Sequence, residues 1–340
     1  MPRVIGIDPG TVSLDLCGLD DGRISLDLSL PTRDALRDPA AFLRLLTSGG
    51  RVDLIAGPSG YGLPLVRADE ATDDDLRLAF LAPGGEAGGI GGLRRLARLF
   101  AESGLPIVYT PGVIHLPSIP VHRKLNRVDL GTADKVAAAA LGIWSQMDRL
   151  AISPDATSFL LLELGGAFTA ALAVDGGAIR DGIGGTSGPI GWQSGGSWDG
   201  EVAFLAGRVS KEMLFQGGAA EWGAPGLAAY IEGVLKSALA LTSVVPKPRE
   251  ILLSGRHAND AAVRDTLQPK LSAIAPVRDL TGRARVAKQG AEGAAILADG
   301  LAGGGCRSIV AAMGIGAAHG TALDYLRTVS REEARRQLGG

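Results

Sequence analysis

Short apolar runs broken by glycine and aspartate set the rhythm of the first sixty residues. Val4–Ile7 is apolar and stops at Asp8-Pro9-Gly10-Thr11. Ser13–Leu19 follows, then the turn Asp20-Asp21-Gly22, then strict alternation over Ile24–Leu30. Period-two alternation bounded by turn formers predicts a three-stranded antiparallel meander. Asp53–Gly57 predicts a further strand, running into the glycine-rich turn Pro58-Ser59-Gly60-Tyr61-Gly62-Leu63-Pro64. Residues 92–102 have a helical pattern, and Ile107–Thr110 reads as a strand.

Beyond a loop over Pro111–Asn126, apolar residues recur at Val136, Ala140, Ile143, Trp144 and Met147, one face of a helix. Ser153–Ser158 reads as a linker. The opening pattern then returns about 155 residues later. Strands are expected at Phe159–Leu164, Phe168–Val174 and Ala178–Ile183, with turns at Gly165-Gly166 and Asp175-Gly176-Gly177. A repeated meander predicts two related domains, residues 1–150 and 157–340. A long helix carrying Leu227, Ile231, Val234, Leu235 and Ala238, a strand at Glu250–Leu253 and an Ala/Gly-rich helix over Lys288–Asp299 complete the second half. The tail, with Arg331, Glu332, Glu333, Arg335 and Arg336, reads as a solvated helix.

Composition narrows the function classes. The 340 residues leave room for two domains, and 46% hydrophobic with 21% charged residues is a globular balance. Lys+Arg 34 against Asp+Glu 36 argues against a broadly basic nucleic-acid binder. Cys17 and Cys306 are too few for a disulfide scaffold and are expected as buried apolar groups. An acid follows the amino terminus too soon for a signal peptide, and no uncharged apolar run approaches a membrane span, so a cytoplasmic protein is expected. His115, His122, His257 and His319 lack metal-site spacing, and neither a P-loop nor a GxGxxG fingerprint occurs.

The glycines, 50 in all, carry the chemistry that remains. Glycine lets main-chain N–H groups approach a phosphate closely, which suits Gly10 with the Thr11 hydroxyl, and Gly165 with Gly166. Read alone, Asp8-Pro9-Gly10 serves equally as a plain β-turn. Magnesium takes oxygen ligands and few carboxylates, so Asp8, then Glu163, are the candidate ligands. Gly184-Gly185-Thr186 reads as a flexible turn or as a loop near the phosphates. Ser254-Gly255-Arg256 leaves a flat opening beside a strand end, where Arg256 could cover an adenine ring. The run His122-Arg123-Lys124-Leu125-Asn126-Arg127 is either a solvated basic loop or a grip on an anion. Asp134, at a helix start, is either a dipole-favoured acid or a general base, and Lys135 could stabilise charge on a transferred phosphoryl group. Asp199 and Glu201 read as helix-start acids, and the run from Asp69 to Asp75 as a solvated loop and cap.

This order of parts resembles the actin-like ATPase superfamily, which includes acetate and sugar kinases. Ile5-Gly6-Ile7-Asp8-Pro9-Gly10-Thr11 resembles its first phosphate motif, and Glu163-Leu164-Gly165-Gly166-Ala167-Phe168-Thr169 the second. Ile251-Leu252-Leu253-Ser254-Gly255-Arg256 resembles the adenosine motif, and the helices starting near Gly131 and Lys288 resemble the two connecting helices. The resemblance implies an α/β fold of two duplicated actin-like, ribonuclease H-like domains with a nucleotide cleft between them. It also implies ATP and Mg2+ held by the residues just named. Ser59–Pro64, Arg123–Asn126, Asp129–Lys135 and Gly184–Thr186 are similar to a family labelled predicted butyrate kinases. Two departures stand out. Glu163 and Ala167 replace the usual Asp and Ser/Thr of the second turn, and the full acetate-kinase signatures are absent.

The expected function is a Mg-ATP-dependent kinase acting on a carboxylate or hydroxyl of a small anionic metabolite. Asp134, Lys135 and Arg123 would be its catalytic residues. The alternatives are an ATP-hydrolysing switch or activator of the same fold, and a fold member without nucleotide chemistry. The expected partners are ATP and a small acceptor, with neither nucleic acid nor membrane, and a homodimer by base rate.

Overall fold

Eleven strands form two sheets among the described residues of a computed structural model, which cover 2–10, 13–57, 59–81 and 89–339, with backbone alone at 89–95. The first sheet contains β1 (Arg3–Pro9), β2 (Ser13–Asp20), β3 (Arg23–Pro31), β4 (Leu54–Gly57), β5 (Val66–Arg67) and β6 (Ile107–Tyr109), ordered β3-β2-β1-β4-β6-β5. The second contains β7 (Ser158–Leu164), β8 (Thr169–Asp175), β9 (Ala178–Ile183), β10 (Glu250–Ser254) and β11 (Val277–Asp279), ordered β11-β10-β7-β8-β9.

The two sheets repeat one plan. In each, an antiparallel meander leads through its first strand into two parallel strands, β1-β4-β6 and β7-β10-β11. Each second strand also shifts register against its third at the equivalent place, between Gly18 and Leu19 and between Ala173 and Val174. Such bulges add local twist and tend to persist where a fold depends on them. β5 is the addition in the first half, an antiparallel edge strand on β6.

Compactness divides the chain into two units: residues 1–128, 132–154 and 281–340, and residues 129–131 and 155–280. The expected boundaries, 1–150 and 157–340, follow the repeat, whereas contacts place residues 281–340 with the first unit. The reason lies in β1. Its Ile5 and Ile7 enter a core with Leu14, Leu16, Ile55, Phe80 and Phe100. Its opposite face meets the helix Gln289–Leu301 so closely that a Cβ on Gly6 would fall 2.1 Å from the Ala295 nitrogen. The same helix passes the helix Ala133–Leu150 at Gly293, where a Cβ would lie 1.9 Å from the Ala137 carbonyl oxygen. Small residues on this Ala/Gly-rich helix are therefore a packing requirement. The second unit has its own core, where Leu160, Leu162, Ala171, Ile251 and Leu253 meet the helices Gly223–Thr242 and Ala261–Ser272.

Several elements lie outside the sequence reading. The helices Thr32–Arg37, Pro39–Thr47, Asp73–Phe80 and Ala261–Ser272, and the strands β5 and β11, had no assigned pattern. Thr72 and Asp75 form a reciprocal capping box in the acidic run, while Asp69, Asp73 and Asp74 pair with Arg67, Arg98 and Arg335. Asp199 caps Gly200–Ala206 through the Glu201 N–H. Cys17 is buried as expected, whereas Cys306 is half-buried beside the short glycine turn after Leu301. No described helix is long and apolar enough to cross a membrane.

Candidate functional site

In the first unit the candidate residues gather at the end of β1. The Gly10 N–H donates to the Ser13 carbonyl at 2.9 Å, closing the hairpin, and the Gly10 carbonyl accepts from the Thr32 hydroxyl at 2.7 Å. Gly10's contribution is thus a bare backbone, since a Cβ there would fall 2.6 Å from the Ser13 carbonyl oxygen and 3.1 Å from Lys288 Nζ. Thr11, the second residue assigned to this turn, lies outside the described residues. Lys288 is the feature the sequence reading missed. Its ammonium reaches Ser13 Oγ at 2.6 Å and the buried Asp15 carboxylate at 3.0 Å. Lys288 is also the residue just before Gln289–Leu301, with no side-chain bond to that helix, so a cation and a helix N-terminus share one side of the hairpin.

Two carboxylates hold that helix start in place. Asp27 on β3 accepts the N–H groups of Arg285, Val286 and Ala287. Burial would push its carboxyl up, but those three donors and the Arg285 charge hold it below the usual range. Glu292, buried within the helix, accepts from the N–H groups of Arg283 and Ala284. Asp8, half-buried at the end of β1, faces the first turn of the same helix. A Cβ on Gly290 would fall 2.8 Å from Asp8 Oδ2. The Asp8 carboxyl oxygens are of the kind magnesium takes as ligands.

Asp134 and Lys135 begin the helix Ala133–Leu150. Lys135 Nζ donates to Asp134 Oδ2 at 2.5 Å, and the Thr132 hydroxyl donates to Asp134 Oδ1. Burial pushes the Asp134 carboxyl up, yet the Lys135 charge and these hydrogen bonds outweigh it and hold the group below its ordinary range. An acid so held is a weak base. Arg123 is half-buried in the short helix Val121–Lys124, where its N–H donates to the Pro120 carbonyl at 3.0 Å. Its neighbour Lys124 turns inward to the Leu116 carbonyl at 3.0 Å and lies 5.1 Å from the Tyr325 ring centroid. The basic run is therefore partly a structural tie rather than a uniformly solvated loop.

The second unit assembles its own cluster. β10 pairs in parallel with β7, so that Ser254 stands opposite Glu163. Gly255, at φ +88°, then brings its backbone against the glycine turn: a Cβ would fall 2.5 Å from the Leu164 carbonyl oxygen and 3.0 Å from the Gly165 nitrogen. Only glycine tolerates that backbone and that approach together. A Cβ on Gly165 would meet the Phe168 carbonyl at 2.7 Å and lie 3.5 Å from Glu163 Oε1, whereas Gly166 opens onto space with nothing within 4 Å. Arg256 is exposed, while the Ser254 hydroxyl is shut in the interior, so Gly255 and Arg256 are the accessible members of that string.

The Gly184-Gly185-Thr186 loop is organised by Asp129. The Asp129 Oδ2 accepts both the Thr186 N–H at 2.9 Å and its hydroxyl at 2.8 Å, and the Asp129 carbonyl accepts from the Ser187 hydroxyl. Gly184 leaves room for this carboxylate and Gly185 for the Phe168 side chain. Thr186 thus spends its donors on the chain itself. The signal for Asp129 was present in the sequence, as the first acid of Asp129–Lys135, but its partner 57 residues away was not.

These parts fit nucleotide and magnesium in kind. Both hairpins need glycine where they close on their own backbone, at Gly10 and Gly165, each has a strand-end carboxylate, Asp8 or Glu163, and Lys288 lies beside Gly10. Among the described residues, no group of three or more His, Cys, Asp or Glu side chains could hold a metal.

Solved structures share this architecture. A propionate kinase from Francisella tularensis superposes with a TM-score of 0.56 at 14% identity, covering 86% of this chain and 99% of that one. An acetate kinase from Entamoeba histolytica gives 0.54 at 12% identity, covering 80% and 86%. An acetate kinase from Porphyromonas gingivalis gives 0.54 at 12%, covering 81% and 88%. At such identities the likeness carries the fold, a two-domain α/β architecture of the actin-like ATPase and sugar-kinase type. No curated protein matches the chain at a significant level. The match that does run nearly its whole length is over residues 6–328, and it makes the chain a member of the family described as Protein of unknown function (DUF1464).

Proposed function

We propose that this protein is an ATP-dependent phosphotransferase whose acceptor is a small carboxylate. The observation that carries the reading is the duplicated hairpin. Gly10 lies beside Lys288 and Asp8 beside Gly290, and in the other unit the Gly165 turn is pressed on Gly255. In this reading the two glycine turns hold the phosphates, with Lys288 neutralising charge and Asp8, aided by Glu163, as the magnesium ligands. Gly255 and Arg256 would take the adenosine end. Mg-ATP supplies a transferable γ-phosphoryl group with its charge partly neutralised.

The state of Asp134 favours a carboxylate over a hydroxyl. A hydroxyl acceptor needs a base, and a carboxyl held below its usual range by Lys135 is poorly suited to that work. A carboxylate arrives ionised. Its oxygen attacks the γ-phosphorus, the bond to the bridging oxygen breaks, ADP leaves and an acyl phosphate forms. Lys135, kept in place by Asp134, and Arg123 would position the acceptor and offset charge on the moving group. The acetate and propionate kinases of the same fold, and the resemblance of several strings to a family labelled predicted butyrate kinases, make these three acids the first acceptors to test.

The test is ADP release with Mg-ATP and each acid, with hydroxylamine present to capture an acyl phosphate as its hydroxamate. Acid-dependent ADP release with matching hydroxamate supports the reading. ADP release that no small acid or alcohol stimulates, but a protein does, would replace it with a nucleotide-driven switch.

A further inference from the structure

The second unit carries an arm that its own chain leaves uncovered. Between β9 and the helix Gly223–Thr242 the backbone closes on itself at Ser194 and Gly217, which form a bridge, and the Gly195 N–H donates to the Gln216 carbonyl at 2.8 Å. The foot of this arm is fixed to the second glycine turn. The Gln193 and Ser194 N–H groups both donate to the Ala167 carbonyl at 3.1 Å, and the Phe215 ring meets Phe168 edge-on, with centroids 5.0 Å apart.

Between those closures lies the helix Gly200–Ala206, and none of its seven residues is buried. Phe204 is 77% and Leu205 81% exposed, with Val202 and Val209 exposed as well. A helix this short does not hold in water by propensity; an apolar face packed on something else is what stabilises it. Bulky apolar side chains gathered over Val202–Val209 have the composition of a contact surface.

Charge selects the occupant. Asp199 and Glu201 stand at the start of the helix, Arg208 and Lys211 follow its end, and Glu212 accepts from the Ser210 hydroxyl. Glu201 and Arg208 pair with no charged group among the described residues. Along its length the arm is therefore acidic, then apolar, then basic. Turned end for end, it complements itself, which is the condition for a two-fold contact in which residue i meets j and j meets i. An anionic membrane surface is met by helices lined with Lys and Arg, whereas this helix contains Glu201 and no cation.

We infer that the occupant is a second copy of this chain. Two Gly200–Ala206 helices pack antiparallel across a two-fold axis, with Phe204 and Leu205 at its centre and Glu201 of one protomer opposite the partner's Arg208. The contact involves neither nucleotide nor acceptor, so it stands apart from the proposed phosphotransfer.

Sedimentation equilibrium of the full chain at about 1 to 300 µM, without nucleotide, tests the assignment. Wild type should show a monomer–dimer equilibrium in that window. Leu205→Glu sets two carboxylates against each other at the axis and should weaken the dimer about 100-fold or more. Leu205 is exposed in the single chain, so the fold of this variant should be unchanged by circular dichroism. Glu201→Arg and Arg208→Glu each bring like charges together and should each weaken the dimer by about tenfold. Combined in one chain they restore opposite charges, and the dissociation constant should return to within about threefold of wild type. A chain that stays monomeric across the window overturns the inference, and if that chain floats with phosphatidylcholine vesicles the face belongs to lipid instead. A dimer that survives Leu205→Glu, or a double reversal that associates no better than either single variant, overturns it as well.

Discussion

Gly255 offers the sharpest test of how the second unit is built. In Gly255→Ala the new methyl would stand 2.5 Å from the Leu164 carbonyl oxygen, 2.6 Å from its carbon and 3.0 Å from the Gly165 nitrogen. All three are backbone atoms, so no side chain can swing aside. The backbone at φ +88° and ψ 171° is a region that residues with a Cβ adopt only at about 1–3 kcal/mol. Overpacking adds roughly 1–3 kcal/mol. The combined loss should therefore be about 2–6 kcal/mol, enough to shift the urea midpoint of the second unit well clear of error. Gly166→Ala is the control. Nothing lies within 4 Å of its Cβ and its φ is unexceptional, so stability should hold or rise by up to about 1 kcal/mol. The control has a second use. Its methyl projects from the turn assigned to the phosphates, so Mg-ATP affinity should fall while the fold is unharmed. A Gly255→Ala loss below about 1 kcal/mol, or an equal loss in both variants, would refute the argument that backbone contact is what requires glycine at 255.

Three further outcomes follow from the first unit. Asp8→Asn should cut ATP turnover by about 100-fold or more while leaving circular dichroism and the unfolding midpoint near wild type. Lys288→Ala leaves Asp15, 1% exposed, without its ammonium; because Lys288 is itself about half exposed and Ser13 still donates, the loss of stability should be about 1–2 kcal/mol, read by denaturant unfolding. His115 is buried and held down to about 4 chiefly by that burial, so it stays neutral in the folded chain while the unfolded chain takes a proton near 6.5. Its contribution is complete above 6.5 and lost as pH falls toward 4, at up to about 1.4 kcal/mol per pH unit and ~3 kcal/mol in all. Stability measured across that window should slope downward on acidification, and the slope should flatten in His115→Gln.

Legibility in the sequence followed interaction range. The two meanders were readable because alternation and glycine-aspartate turns are local, and β9 was placed to the residue at Ala178–Ile183. The Ala/Gly-rich helix was readable as a close-packing element, and Gly6 and Gly293 show against what. The helices Thr32–Arg37 and Pro39–Thr47 were missed: Asp34 and Arg37 face solvent on the first, and the second buries only Phe42 and Leu46, too few positions to declare a period. β11 is three residues long with two exposed, so only its pairing with β10 defines it. At the site, glycines and acids near turns stood out by type. The pairings did not. Lys288 reaches a hairpin 275 residues away, and Asp129 holds a loop 57 residues away, distances that no spacing rule covers. The units drawn by contact differ from the boundaries drawn by the repeat for the same reason, because the helix Gln289–Leu301 packs on β1 although it follows the second meander in the chain.

The most direct measurement of the central claim is calorimetric titration of the chain with Mg2+ and a non-hydrolysable ATP analogue, alone and in variants of each turn. One binding site per chain is expected, weakened by about tenfold or more both by Lys288→Ala beside the first turn and by Gly166→Ala in the second. Wild-type affinity retained in either variant, or no binding at all, would contradict the account.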